Sequence, residues 1–296
     1  MEALAENHLR AVADFVGRAS VPLFARGAPG QLRWVTRGTA AWLRVPQPNG
    51  ASRLFLLTAA HVVFGADAST VGELWVPVSR PSAELGTDTF LLSNIGVATF
   101  TEFDDKHSPD TDHMDSVVIE VRDRVLIERV LAGGWEILDV DNIGPNAASS
   151  EIEGIGYLVC GYPAQLNVSA ADWVANAPVH LLVSRYDGEV NLTEGYDPNV
   201  DLMLERPNRY LETNEPLETL PLQGMSGALV WAIRAGNVPG VWHPRRGVVI
   251  AGHQVSATPT GYIRARRGIA LARLLQRTAP EIAPQVEARL DGRVVD

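Results

Sequence analysis

Short apolar runs rich in Val, Ile, Leu and Thr recur along this chain, each cut off by Gly, Pro, Asn or Asp. Gly38–Val45, Arg53–Thr58, Leu74–Val78, Ser116–Val121, Gly156–Gly161, Val179–Val183, Ala228–Ile233 and Gly247–Gln254 are of this kind. β-Branched side chains suit a pleated surface, and runs this short between turn formers read as strands. Strands so spaced, without intervening helices, close into barrels or sandwiches; a parallel sheet with crossover helices needs a different pattern.

Only the two ends break that pattern. Leu9, Val12, Ala13 and Val16 recur at helical spacing, and Gly17 is placed to end the helix. Near the other end, Leu271, Leu274 and Leu275 share a face before Pro280, and Ile282, Val286 and Leu290 repeat every four residues. Between Leu131 and Glu153, Gly133-Gly134, Gly144-Pro145 and Asn146–Ser150 mark a loop-like connection. The expected organisation is a helix over 1–24, a β-domain over 25–132, a connection over 133–152, a second β-domain over 153–265 and a helical tail over 266–296.

With 296 residues, the chain has room for two domains of about 150 residues. A net charge of −10 argues against nucleic acid as a partner, because phosphate binding calls for a basic face. Cys160 is the single cysteine, so no intrachain disulfide can form; its place in Leu158-Val159-Cys160 marks it as a small buried hydrophobe. The start, Met1-Glu2-Ala3-Leu4-Ala5-Glu6, lacks the basic-then-apolar pattern of a signal peptide, and no apolar stretch nears the ~18 residues of a membrane span. A soluble, cytoplasmic protein with no membrane partner is the expectation.

Three segments carry residues suited to chemistry. In Leu56-Leu57-Thr58-Ala59-Ala60-His61-Val62, an apolar strand runs into two alanines and a histidine, where the chain can turn and present the imidazole. In Asp112-His113-Met114-Asp115-Ser116-Val117-Val118-Ile119, Asp115 stands where the start of a strand draws it into the fold, whereas Asp104, Asp105, Asp110 and Asp112 read as solvated loop acids. In Leu222-Gln223-Gly224-Met225-Ser226-Gly227-Ala228-Leu229-Val230, glycines on both sides of a serine permit a tight turn that exposes the hydroxyl.

Together these segments resemble the trypsin-like (chymotrypsin-fold) serine peptidases, in particular their bacterial members. Thr58-Ala59-Ala60-His61 is similar to the motif around the family's general base, and Gly38-Thr39-Ala40-Ala41-Trp42-Leu43 to the strand leading toward it. Asp115 with its aliphatic followers resembles the acid that orients the histidine, and Gly224–Gly227 the nucleophile loop, with Ala228 in place of a second glycine. Val159-Cys160-Gly161-Tyr162-Pro163 is similar to a turn early in the second barrel. The order His, Asp, Ser belongs to this family and differs from that of subtilisin-like enzymes and α/β-hydrolases.

The resemblance implies an all-β fold of two six-stranded-type barrels, with the site in the cleft between them. His61, Asp115 and Ser226 would be the triad of an endopeptidase acting through an acyl-enzyme, with Gly224 and Ser226 N–H as oxyanion donors. No cofactor or metal is required, and the partner is a protein or peptide substrate, with room for a regulatory protein. Leu220 would lie at the base of the primary pocket, which argues against tryptic specificity and leaves small apolar and acidic residues as the alternatives. Val249-Ile250-Ala251-Gly252-His253 is similar to the strand of glutamyl endopeptidases whose histidine binds a substrate carboxylate, with Arg264 or Arg266 as helpers, although Pro221 stands where those enzymes have a hydroxyl. Met225 replaces the Asp of zymogen-type enzymes, so no cleavage-driven activation is expected. The rival from another class is a trypsin-fold module that binds peptides or proteins without cleaving them.

Overall fold

The computed structural model describes residues 2–27, 34–47, 50–64, 73–80, 87–99, 115–144, 154–170, 173–175, 177–188, 197, 200–207, 211, 222–234, 243–257 and 261–291. The chain is mostly β, with two curled antiparallel sheets, a helix before them and helices after them. It opens with α1 (Glu2–Ala19), followed by β1 (Ser20–Arg26), β2 (Trp34–Pro46), β3 (Ser52–Thr58) and the short helix α2 (Ala60–Phe64). Next come β4 (Trp75–Pro77), β5 (Thr87–Leu91), β6 (Ile95–Thr99), β7 (Val117–Val121) and α3 (Arg124–Ala132). Beyond the connection lie β8 (Gly154–Gly161), β9 (Val168–Ala170), β10 (Trp173–Ala175), β11 (Val179–Val183), β12 (Asp201–Glu205), β13 (Leu229–Arg234), β14 (Val248–Ala257) and β15 (Tyr262–Arg267). Two helices, α4 (Gly268–Thr278) and α5 (Ala283–Leu290), follow.

The second sheet has six strands, in the order β11-β8-β13-β14-β15-β12. The first has nine, β6-β7-β3-β2-β1-β4-β5-β10-β9, where six were expected. Two of the extra strands come from further along the chain: the β9–β10 hairpin crosses over and pairs with β5 through Trp173↔Asp88 and Val174↔Thr87. Such three-residue strands carry too little pattern to be read in a sequence.

Alternation along the central strands builds three cores at once. On β2, Ala40 and Trp42 face the interior of the first sheet, while Ala41, Leu43 and Val45 face a core shared with the second sheet. On β3, Leu54 and Leu56 point inward and Phe55 and Leu57 into the shared core. On β13, Val230 lines the interior of the second sheet while Leu229, Trp231 and Ile233 enter the shared core. The helices complete it: Val12, Phe15 and Val16 of α1 and Leu271, Leu274 and Leu275 of α4 are all buried there. Phe15 meets Trp231 edge to face at 5.7 Å. Cys160 is a free, fully buried thiol in this core, as its apolar neighbours suggested.

Gly17 does not end the first helix, which runs on to Ala19. A Cβ there would stand 3.0 Å from His180 Nε2 on β11, so this glycine permits close approach of helix and strand. The connection after α3 is tied to both sheets. Leu138 exchanges backbone hydrogen bonds with β2 (Leu138 N–H to Trp42 O, 2.9 Å; Arg44 N–H to Leu138 O, 2.8 Å), and Gly144 N–H donates to Ile250 O on β14 at 3.1 Å. Among the described residues no helix is long and apolar enough to cross a membrane.

Candidate active site

The register of the first sheet brings His61 and Asp115 together. β3 and β7 are antiparallel with Thr58 opposite Val117, so the chain leaving β3 meets the chain entering β7. Thr58 Oγ1 donates to Thr39 O at 2.7 Å and fixes the end of β3. In α2, Val62 and Val63 are buried, which turns His61 outward with its side chain 45 % exposed. Asp115 has φ 37°, a left-handed conformation that Asp tolerates better than most residues.

From that kink both carboxylate oxygens reach one residue. Oδ1 accepts from the His61 backbone N–H at 2.9 Å and Oδ2 from His61 Nδ1 at 2.7 Å. An ionised carboxylate only accepts, so the neutral ring carries its proton on Nδ1 and keeps the lone pair on Nε2. Burial would raise the Asp115 pKa, but the hydrogen bonds and charge of His61, with His253 nearby, outweigh it and hold the carboxyl below its ordinary 3.8.

The serine loop is a tight turn braced on both sheets. Met225 N–H donates to Leu222 O (3.0 Å) and Ala228 N–H to Met225 O (2.9 Å), while Gly227 N–H donates to Gln254 O on β14 (2.7 Å). Gly224 and Gly227 have φ 92° and 85°, and each is pressed against backbone. A Cβ on Gly224 would lie 2.6 Å from Tyr162 O; one on Gly227 would lie 2.3 Å from Thr39 O. Met225, at 0 % exposure, is part of the second sheet's core, which suits an apolar side chain where an acid would be unpaired.

Thr39 binds this loop to the histidine's strand. Its N–H donates to Ser226 O (2.8 Å), its Oγ1 donates to Gly224 O (2.9 Å) and accepts from Tyr162 N–H (3.0 Å), and its carbonyl takes the Thr58 hydroxyl. The neighbouring Gly38 is equally confined, since a Cβ there would stand 2.6 Å from Val62 and 2.8 Å from Ser226 O. Gly38 thus sits between the Ser226 carbonyl and Val62, the residue that follows His61. The Ser226 hydroxyl makes no hydrogen bond to His61 among the described residues. Among the described residues, the N–H groups of Gly224 and Ser226 donate to no backbone carbonyl, unlike those of Met225 and Gly227.

The pocket expectations fare differently. Leu220 and Pro221 lie outside the described residues, as do Asp104, Asp105, Asp110 and Asp112. His253 is 0 % exposed, and its Nε2 sits 3.0 Å from the Asp115 carbonyl and 3.3 Å from Ser116 Oγ. Burial lowers its pKa to about 4, against the smaller opposing pull of Asp115. Here it meets the backbone carbonyl of Asp115 and offers no exposed atom to a substrate, so the expectation of a residue that binds a substrate carboxylate does not fit its position. Arg264 and Arg266 both pair with the buried carboxylate of Asp201, which removes them as free helpers.

Sequence reasoning missed the brace role of Thr39 and the contact of His253 with Asp115. Thr39 sat in a quoted motif, but only strand pairing reveals which atoms it joins. Among the described residues no group of three or more His, Cys, Asp or Glu is arranged to hold a metal ion. No family model matches the chain, and no curated protein matches it.

Proposed function

We propose that this protein is a trypsin-like serine endopeptidase that cleaves protein or peptide substrates through an acyl-enzyme. Ser226 Oγ attacks the scissile carbonyl while His61 Nε2 takes its proton, because a neutral hydroxyl is a weak nucleophile. Asp115 keeps the imidazole in the productive tautomer and offsets the positive charge that forms on it. The Gly224 and Ser226 N–H groups receive the oxyanion, and His61 then protonates the leaving amine. Water repeats the sequence on the acyl-enzyme.

The observation that carries this reading is the two-point grip of Asp115 on His61, through Oδ2 to Nδ1 and Oδ1 to the backbone N–H. A surface ion pair has no need to fix a ring this way, and the glycine-flanked serine turn packs against Thr58, at the end of the strand that leads to His61. The cytoplasm is the proposed location. Hydrolysis of an unfolded, fluorescently quenched protein tests the activity: wild type should release fluorescence, and Ser226→Ala and His61→Ala should not while keeping the native circular dichroism spectrum. Equal rates in all three would trace the signal to a contaminant and favour the non-cleaving peptide-binding module.

A further inference from the structure

Consecutive residues of β14 hold the two halves of the site. Gln254 exchanges backbone hydrogen bonds with the serine loop, accepting from Gly227 N–H (2.7 Å) and donating to Ala228 O (2.8 Å). One residue earlier, His253 reaches across to the first sheet and meets the Asp115 carbonyl at 3.0 Å. A carbonyl oxygen only accepts, so Nε2 must carry the proton in that contact. Asp115 is one of two described non-glycine residues with positive φ, and this hydrogen bond falls on its own peptide group.

We propose that His253 is the positioning residue for Asp115: its Nε2–H holds the Asp115 backbone in the kinked conformation from which the carboxylate grips His61. This rests on the reading of His61, Asp115 and Ser226 as a catalytic triad. His253 lies in the second sheet and Asp115 just before β7 of the first, so the bond sets the acid's place relative to the loop that carries the nucleophile. The role requires a proton on Nε2, which the neutral Nε2–H tautomer supplies. The charged and titratable groups around it are Asp115, Arg266 on the paired strand β15, and His61. Nδ1 is buried with no partner among the described residues, so a second proton there would be a buried donor with nothing to receive it.

His253→Gln retains an N–H donor at similar reach, and His253→Phe fills the space without one. Steady-state hydrolysis of a peptide ester should show kcat for the Phe variant lowered about tenfold to a hundredfold, the scale of a misplaced catalytic group, with KM unchanged. The Gln variant should recover most of that loss. A Phe variant with wild-type kcat, or a Gln variant no better than Phe, would overturn the proposal, as would a loss confined to KM or to the ratio of Glu to Leu substrates. A wild type that fails to hydrolyse the ester would instead defeat the catalytic reading. The ¹⁵N-resolved imidazole spectrum of the intact wild type tests the bond independently of activity and of variant folding: the His253 proton should sit on Nε2 at neutral pH. A proton on Nδ1 with none on Nε2 would refute it.

Discussion

Gly227 approaches Thr58 so closely that a Cβ on the glycine would lie 2.0 Å from the threonine hydroxyl oxygen. The serine turn and the strand that delivers His61 therefore pack directly against each other, the Thr58 hydroxyl and the Thr39 carbonyl lying against the glycine. Their separation is set by that hydroxyl, by backbone and by the smallest residue available.

That contact predicts an unequal pair of glycine substitutions. Gly227→Ala adds steric conflict with Thr58 and the Thr39 carbonyl to an unfavourable φ and should cost about 2–5 kcal/mol. Gly50 has a similar φ of 80° but no atom within 4 Å of its added Cβ, so Gly50→Ala should cost only about 1–2 kcal/mol. Urea unfolding of both variants measures the difference, and equal costs would deny that the turn is wedged.

Asp115→Asn should lower turnover by about 10⁴-fold, because an amide can hold the histidine in the wrong tautomer. Its effect on stability should depend on pH. The folded carboxyl titrates below its ordinary 3.8, so its stabilising contribution is complete above that value and disappears as pH falls through the depressed one. The gap in unfolding free energy between wild type and variant should accordingly be constant near neutrality and close in acid. A gap that widens on acidification would contradict the depressed pKa.

Thr39→Val keeps the shape of the side chain and removes its oxygen. The Gly224 carbonyl and the buried Tyr162 N–H each lose a partner, which should cost about 1–3 kcal/mol for each buried group left unpaired. The loosened turn should also lower kcat, up to the about hundredfold expected for one displaced oxyanion donor, with a smaller effect on KM. A variant with normal kcat would make Thr39 a purely structural brace.

The first helix is part of the core, and the chain beyond it is anchored at once. Ser20 Oγ donates to Val16 O at 2.9 Å, and Tyr162 Oη donates to Ser20 O at 3.1 Å. Removing the buried ring in Phe15→Ala should cost about 3–5 kcal/mol. Cleavage just after the helix should lower the unfolding temperature and leave activity no higher than before. Activity that appears only after such a cut would show that the intact chain is a precursor.

Much of the β architecture was legible because the central strands are short apolar runs, rich in β-branched residues and bounded by turn formers. Val179–Val183 was read to the residue, and Arg53–Thr58 differs from β3 by one position. The β9–β10 hairpin and its crossing to β5 were not legible, since three-residue strands hold almost no period and pairing partners leave no local trace. The juxtaposed His61 and Asp115 were legible as motif residues. The inward turn of His253 was not: on β14 both faces are largely buried, so alternation gives no inside and outside to choose between. Gly17 misled for a related reason, because a glycine that admits a neighbouring strand looks the same in sequence as one that ends a helix.

Reaction with a fluorophosphonate tests the central claim most directly. The reagent phosphonylates a serine only where a base activates the hydroxyl and donors stabilise the developing oxyanion. Intact-mass and peptide-mapping spectrometry of the full chain should show one phosphonyl group, on Ser226, with none on the Ser226→Ala variant and greatly slowed addition to His61→Ala. A folded wild-type protein that remains unlabelled, or one labelled at a different serine, would contradict the account.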